Sequence, residues 1–227
     1  MATLPPFDSG LTCGYADLMR VINVRCSQAQ VDGLNTLLGV QKSAERAWRA
    51  ERRGQIDQAA TSAAERARLL AAARTEFERL RAAGEFAGTH TLLVLPALRA
   101  ILTERGWDTR RFKPIPAEAL RHGRPWGTHD SGWDARVALR LDDALAERIT
   151  RACWWASAPA VARLQGWYDD HGDHWRGRLH TTGDPWVGAG PSPSDLRERE
   201  ALVAKIVTTG DIGRQAIDRT LSGAEVR

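Results

Sequence analysis

Hydrophobic and polar residues alternate most regularly in one short stretch of the chain. From Arg136 to Leu141 the odd positions are Val or Leu and the even positions are Arg or Ala. This period of two is typical of a strand with one buried and one exposed face. Asp142 follows as a candidate N-cap, and Leu145 and Ile149 continue at helical spacing, so the pattern predicts a strand leading directly into a capped helix.

A second helix is predicted to begin just after this one. Ser157 is its candidate N-cap, and Pro159 lies where proline suits a first helical turn. Val161, Leu164 and Trp167 then recur at the spacing of a buried helix face. Residues 135–175 are therefore predicted to be a strand-helix-helix unit.

The N-terminal part of the chain has a helical pattern. Residues 15–38 predict two short helices, with Ser27 as the N-cap between them. Across residues 41–83 apolar residues recur every seven positions, which predicts a helical hairpin or a short coiled coil. Residues 89–105 begin apolar and β-branched and are expected to become helical after Pro96. The residues that recur every seven positions within 41–83, called the heptad row below, are Ile56, Ala63, Leu70 and Phe77.

The pattern as a whole predicts a mainly α fold with minor β structure. A helical block with possible dimerisation is expected over 1–105, a basic, Trp-containing loop region over 106–134, the strand-helix-helix unit over 135–175, and loop with C-terminal helices over 176–227. Ser192 and Asp211 are candidate helix starts in this last segment. No internal repeat, Walker loop, GxGxxG motif or GxSxG motif is visible.

Composition adds a modest positive charge but little else. The net charge is +4, with 32 basic and 28 acidic residues, so a phosphate-bearing partner is compatible with the chain without being required. The three cysteines form no CxxC pair, which gives no indication of a disulfide framework or structural zinc. No targeting segment or membrane span is visible, so we expect a cytoplasmic protein with no membrane partner.

The predicted strand and its two helices resemble a ribbon-helix-helix DNA-binding unit over residues 135–168. In that family strands from two protomers pair as a ribbon in the major groove, and the second helix begins at a phosphate. The resemblance implies a dimer in which Arg136, Ala138 and Arg140 face DNA and the turn at Ser157 meets the backbone. The two Trp residues before Ser157 stand where the family often has Gly.

The loop region adds basic residues that alternate with aromatic ones. Guanidinium groups bind phosphate and aromatic rings stack on bases, so this mixture suits nucleic acid. The alternative is a loop that packs its Trp side chains on the core while its arginines stay solvated. The candidate contact residues are Arg110, Arg111, Lys113 and Arg124, interleaved with Trp107, Phe112 and Trp126.

An acidic cluster supports a different class of function. Asp169, Asp170 and Asp173 match DDxxD and resemble the aspartate-rich motif of class I terpene and prenyl synthases. There, carboxylates on one helix face hold Mg²⁺ ions that bind a diphosphate. The resemblance implies a Mg-dependent enzyme acting on a diphosphate substrate. Here only 54 residues follow Asp173 and Gly172 interrupts the motif, whereas in the family many helices follow.

Three hypotheses therefore follow from the sequence. The first is a DNA-binding protein, dimeric and possibly a regulator, that contacts DNA through a strand and helix N-termini. The second is the Mg-dependent enzyme. The third is a helical interaction or assembly protein without catalysis, held by the heptad row and by tryptophan contacts, since eight of the nine Trp residues lie after residue 100.

Overall fold

The computed structural model describes residues 19–121, 133–172 and 190–225. Within these ranges the chain forms seven helices and one small antiparallel sheet, so the predicted mainly α fold with minor β structure is confirmed. In chain order the elements are β1 (Met19–Cys26), α1 (Gln28–Ala59), α2 (Ala63–Ala82), α3 (His90–Glu104), α4 (Ala117–Arg121), β2 (Ala135–Asp142), α5 (Asp143–His171), α6 (Pro193–Val203) and α7 (Thr209–Glu225).

The sheet is a two-stranded ribbon made within one chain. β1 and β2 pair antiparallel along their whole length, from Met19 opposite Asp142 to Cys26 opposite Ala135. The strand predicted at 136–141 and its Asp142 cap are confirmed, since the Asp142 carboxylate accepts the N–H of Leu145 at 2.8 Å. The pairing between two protomers implied by the ribbon-helix-helix resemblance is not found, because β1 of the same chain occupies the partner position.

The helices predicted across 15–38 are wrong over the first part of that range. Met19–Cys26 is a strand, because Ile22, Val24 and Cys26 alternate on its inner face and complete a core with β2. The Ser27 cap is confirmed and forms a capping box with Gln30. From this cap a single helix, α1, runs on, where the sequence predicted a shorter one.

The predicted hairpin is confirmed in α1 and α2. The helices run antiparallel: Asp57 and Arg66 are joined at 2.7 Å near the turn, and Arg52 and Glu76 at 2.6 Å farther along. Side chains from both helices and from the loop after α2 form a small, mainly aromatic cluster. Its members are Trp48, Phe77, Leu80 and Phe86.

Two prolines that were predicted to mark helix starts lie inside helices. α3 begins at His90 with Thr89 as its cap, so Pro96 is internal and the predicted extended start is wrong. α5 continues through Pro159 to His171 as one helix, where two were predicted. In both cases a continuous buried face favours the helix, and that burial outweighs the lost backbone hydrogen bond. The buried residues on either side of Pro159 are Ala152, Cys153, Ala160 and Leu164.

One core joins elements from both ends of the chain. The inner faces of both strands pack with α1, α3, α5 and α7, so the helical block, the strand-helix-helix unit and the C-terminal tail share apolar contacts. α7 approaches β1 so closely that a Cβ on Gly213 would lie 2.4 Å from Val24 Cγ2. A second cluster holds the end of α5 against α6 and includes Leu164, Trp167 and Leu202.

No helix in the described part of the chain combines the length and apolar character needed to cross a bilayer.

Candidate nucleic-acid interface

The outward face of the ribbon is exposed and basic. Because successive side chains of a strand point to opposite faces, burying the inner residues turns the intervening residues outward. On β2 the outward residues are Arg136, Ala138 and Arg140, as the sequence predicted. β1 adds Asn23 and Arg25 to the same face.

The strand register brings two of these arginines together. Arg25 lies directly opposite Arg136 at one end of the ribbon, whereas Arg140 lies opposite Val21 towards the other end. Like charges at opposed positions of an antiparallel pair destabilise a sheet. The opposition of Arg25 and Arg136 therefore destabilises this end of the ribbon, and an anionic partner would offset the repulsion between them.

No described residue forms an ion pair with any of these three arginines. By contrast, Arg20 at the ribbon edge lies 3.1 Å from the Asp143 carboxylate. The acids at the ribbon ends are engaged in capping: Asp142 accepts the N–H of Leu145 and Asp134 accepts the N–H of Gln28. Within the described ranges, the guanidinium groups of the outer face therefore have no acidic partner.

A helix begins beside each edge of the ribbon. On the β2 side, the backbone N–H of Arg140 donates to the hydroxyl of Thr91, in the first turn of α3, at 3.0 Å. On the β1 side, Arg214 in the second turn of α7 donates to the backbone carbonyl of Arg25 at 3.0 Å. These contacts partly satisfy the open strand edges and fix both helices against the ribbon.

Ser157 does not lie at this interface, so its prediction as a helix cap at a phosphate is wrong. It is 2% exposed within α5. Its hydroxyl donates to the carbonyl of Val207 at 3.0 Å and accepts the N–H of Val207 at 2.9 Å. The residue joins α5 to the segment before α7, which explains a small polar side chain at a buried position.

The described first part of the basic loop, residues 106–116, packs along α5. Trp107 is buried in the core, and the backbone carbonyls of Phe112 and Lys113 accept from Arg151 and Trp155. For Trp107 and Phe112 this arrangement matches the alternative in which the aromatic residues pack and the basic ones stay solvated, while Trp126 lies outside the described residues. Of the predicted contact residues, Arg110, Arg111 and Lys113 are exposed and Arg124 lies outside the described residues.

Two of the three aspartates of the acidic cluster lie within the described residues. Asp169 and Asp170 are exposed near the end of α5, and Asp169 accepts from Gln165 at 2.7 Å. Asp173 lies outside the described residues. In the ranges that the structure describes, no three His, Cys, Asp or Glu side chains converge as metal ligands would.

An open cavity of about 370 Å³ lies between α3 and the start of α5. Arg99 and Arg148 line it together with Asp108 and Asp142, so its charges are balanced. Hydrogen bonding from Thr103 lowers the pKa of the Asp108 carboxyl. With two cations facing two anions, this cavity has no preference for an anionic ligand.

The residues that sequence analysis missed are those of β1. Asn23 and Arg25 share the outward face with the predicted arginines but were assigned to a helix. The alternation from Ile22 to Cys26, ended by the Ser27 cap, was the available indication. Val21 and Ile22 are adjacent apolar residues, a pair that suits a helix equally well.

Comparison of the chain with protein-family models, with curated proteins and with solved structures gave no match.

Proposed function

We propose that this protein binds double-stranded DNA through the outward face of the β1–β2 ribbon. The observation that carries the proposal is the set of three exposed arginines, Arg25, Arg136 and Arg140, that have no acidic partner among the described residues. A two-stranded ribbon fits the major groove of B-DNA, where arginine donates to the acceptor edge of guanine.

The ribbon's construction supports this proposal further. Its inner face is held by the core, and each edge is contacted by α3 or α7. A rigid ribbon presents its side chains with little ordering cost on binding. Because both strands come from one chain, the binding face needs no second protomer to exist.

The test is an electrophoretic mobility shift with mixed genomic DNA fragments at low and moderate salt. We expect a shift that weakens steeply as salt rises, because bound arginines displace counterions from the phosphates. The double substitution Arg136→Ala/Arg140→Ala is expected to abolish sequence-specific binding at moderate salt.

A matched control removes the same charge elsewhere. Arg53 and Arg74 are exposed in the α1–α2 hairpin and form no ion pair with a described residue. Arg53 lies about 37 Å along α1 from its start at the ribbon. Arg53→Ala/Arg74→Ala is expected to retain specific binding. Equal losses in the two double variants, or no shift at low salt, would refute the proposal.

A further inference from the structure

The chain repeats one arrangement of elements. β1 leads into the capped helix α1, followed by α2 and α3, while β2 leads into the capped helix α5, followed by α6 and α7. Ser27 and Asp142 cap the first helix of each half, and each accepts the N–H of the residue three positions on. The sequence indicates no such repeat, because the two halves share a packing pattern and not residue identities.

The packing of the two halves is reciprocal. α7 of the second half packs on β1, α3 of the first half packs on β2, and α3 and α7 pack on each other. Five core-facing positions of each helix have the same spacing, whereas the buried Ile101 of α3 is matched by the partly buried Thr220 in α7. The five positions are Leu93, Val94, Ala97, Leu98 and Leu102 in α3, and Ile212, Gly213, Ala216, Ile217 and Leu221 in α7.

The strand register fits an approximate two-fold axis through the ribbon. Asn23 and Ala138 are each the fourth residue before their N-cap, and they are register partners. An axis through this pair exchanges β1 with β2 and matches the buried Val24 with the buried Leu139. Two protomers of a symmetric ribbon would have such an axis between them, whereas here a single chain contains both halves.

The outward side chains do not follow this symmetry. Arg25 and Arg140 occupy equivalent positions and are identical, but Val21 is equivalent to Arg136 and Asn23 to Ala138. One end of the ribbon therefore presents two guanidinium groups. The other end presents one guanidinium beside Val21 and Met19, which are 48% and 44% exposed.

We infer that one copy of this chain binds a DNA site that lacks palindromic symmetry. The inference rests on the function proposed above. A two-fold pair of identical strands favours a palindrome because each half-site meets the same side chains. Here the Arg25–Arg136 end suits guanines, and the end with Val21 suits a guanine together with a thymine methyl group.

The experiment is selection of bound duplexes from a randomised library by the full-length protein at moderate salt. The stoichiometry of the selected complex is then measured by native mass spectrometry. We expect a consensus without inverted repeat and one chain per duplex. A palindromic consensus, or two chains on each site, would overturn the inference and leave DNA binding intact. A library without enrichment would overturn DNA binding itself and this inference with it.

A variant tests the cause of the asymmetry. Val21→Arg/Ala138→Asn makes the outward residues of the two strands equivalent, and both changes lie on the exposed face away from the core. We expect its selected consensus to become an inverted repeat. The variant should bind this inverted repeat at least about fivefold tighter than the original protein does, because one good arginine contact supplies that much discrimination.

The matched control is Val40→Arg, which adds the same charge at a valine that is 62% exposed on α1. Its consensus is expected to stay asymmetric. Thermal melting of all three proteins confirms that they are folded before selection. An unchanged asymmetric consensus in Val21→Arg/Ala138→Asn would show that the ribbon face does not determine the site.

Discussion

The hydroxyl of Ser157 supplies both hydrogen bonds of the Val207 backbone, donating to its carbonyl and accepting from its N–H. Ser157→Ala would leave the N–H and the carbonyl of the partly buried Val207 without these hydrogen bonds. We expect the free energy of unfolding, measured by urea denaturation, to fall by about 1–3 kcal/mol.

The control for this change is Thr75→Ala, which removes an exposed hydroxyl that donates to the Ala71 carbonyl within α2. Its effect should stay within about 0.5 kcal/mol. Because Ser157 is buried, the folded Ser157→Ala protein should bind DNA as the original does. A selective loss of DNA binding at unchanged stability would contradict the structural role assigned to this hydroxyl.

His90 gives the fold a pH dependence. Burial lowers the pKa of this imidazole, and the nearby Lys42 lowers it further. A base whose pKa is lower in the folded state stabilises the fold fully above its unfolded pKa of about 6.5 and loses that contribution as pH falls through its folded pKa. The neutral ring is 3.0 Å from the Asn35 side-chain oxygen, to which its Nε2–H donates.

We therefore expect His90→Gln to lose less stability than the original protein between pH 7.5 and 5.5. Glutamine keeps a donor for Asn35 and does not titrate. The measurement is Tm at several pH values in one buffer series. Parallel Tm curves for the two proteins would show that His90 is not responsible for this pH dependence.

At the scale of elements, the internal proline of α5 interrupts the backbone hydrogen bonding of a long helix. Pro159 is exposed, so its ring contributes little to the core, yet it removes one backbone hydrogen bond of the helix. Pro159→Ala is expected to raise the free energy of unfolding by about 1–3 kcal/mol. Urea denaturation measures this change.

Pro193 provides the comparison within the same chain. It lies at the start of α6, where proline satisfies the helix geometry and no donor is lost. Pro193→Ala should therefore leave the stability unchanged or slightly lower. Equal changes in the free energy of unfolding for the Pro159 and Pro193 variants would show that the interior position of Pro159 does not destabilise α5.

The sequence predicts an element well where one local rule dominates. The alternation before Asp142 and the capping residue itself identified β2, and the helical pattern of residues 41–83 identified the α1–α2 hairpin. Of the heptad row, Ile56 and Phe77 are buried, whereas Ala63 and Leu70 are exposed. The prediction of Ser157 as a helix cap failed because a small polar residue two positions before a proline suits a helix cap as well as a buried hydrogen bond. That choice depends on Val207, which is 50 residues away in the sequence.

For the same reason, only the β2 half of the candidate interface could be predicted from the sequence. Arg136 and Arg140 lie on the strand that local alternation revealed, whereas Asn23 and Arg25 lie on a strand whose partner is distant in sequence. Strand pairing is a tertiary contact, and β-propensity alone is weak evidence for it. The register, and with it the opposition of Arg25 to Arg136, follows only from the fold.

At the scale of the whole molecule, burial is concentrated in one region. The main core contains both strands and four helices, while the hairpin carries only the small cluster around Trp48 and Phe77. Regions with few buried apolar contacts open locally at lower free energy than a core does. We therefore expect the outer part of the hairpin to be less protected than the main core.

Amide hydrogen exchange tests this distribution. We expect the slowest exchange in β1, β2, α3 and α7, and exchange at least about tenfold faster in residues 50–70 of the hairpin. Mass spectrometry of peptides after timed labelling resolves these segments. Uniform protection across the hairpin and the core would show that the hairpin does not open independently.

The separation of β1 from β2 along the chain also governs how the protein is made. During synthesis at about 5–20 residues per second, β2 leaves the ribosome on the order of ten seconds after β1. Throughout that interval the nascent chain carries a β-strand without a partner, the kind of edge through which polypeptides aggregate. Arg20 and Arg25 place two positive charges on β1. The same arginine that faces outward in the finished ribbon thus repels other copies of β1 before the ribbon exists.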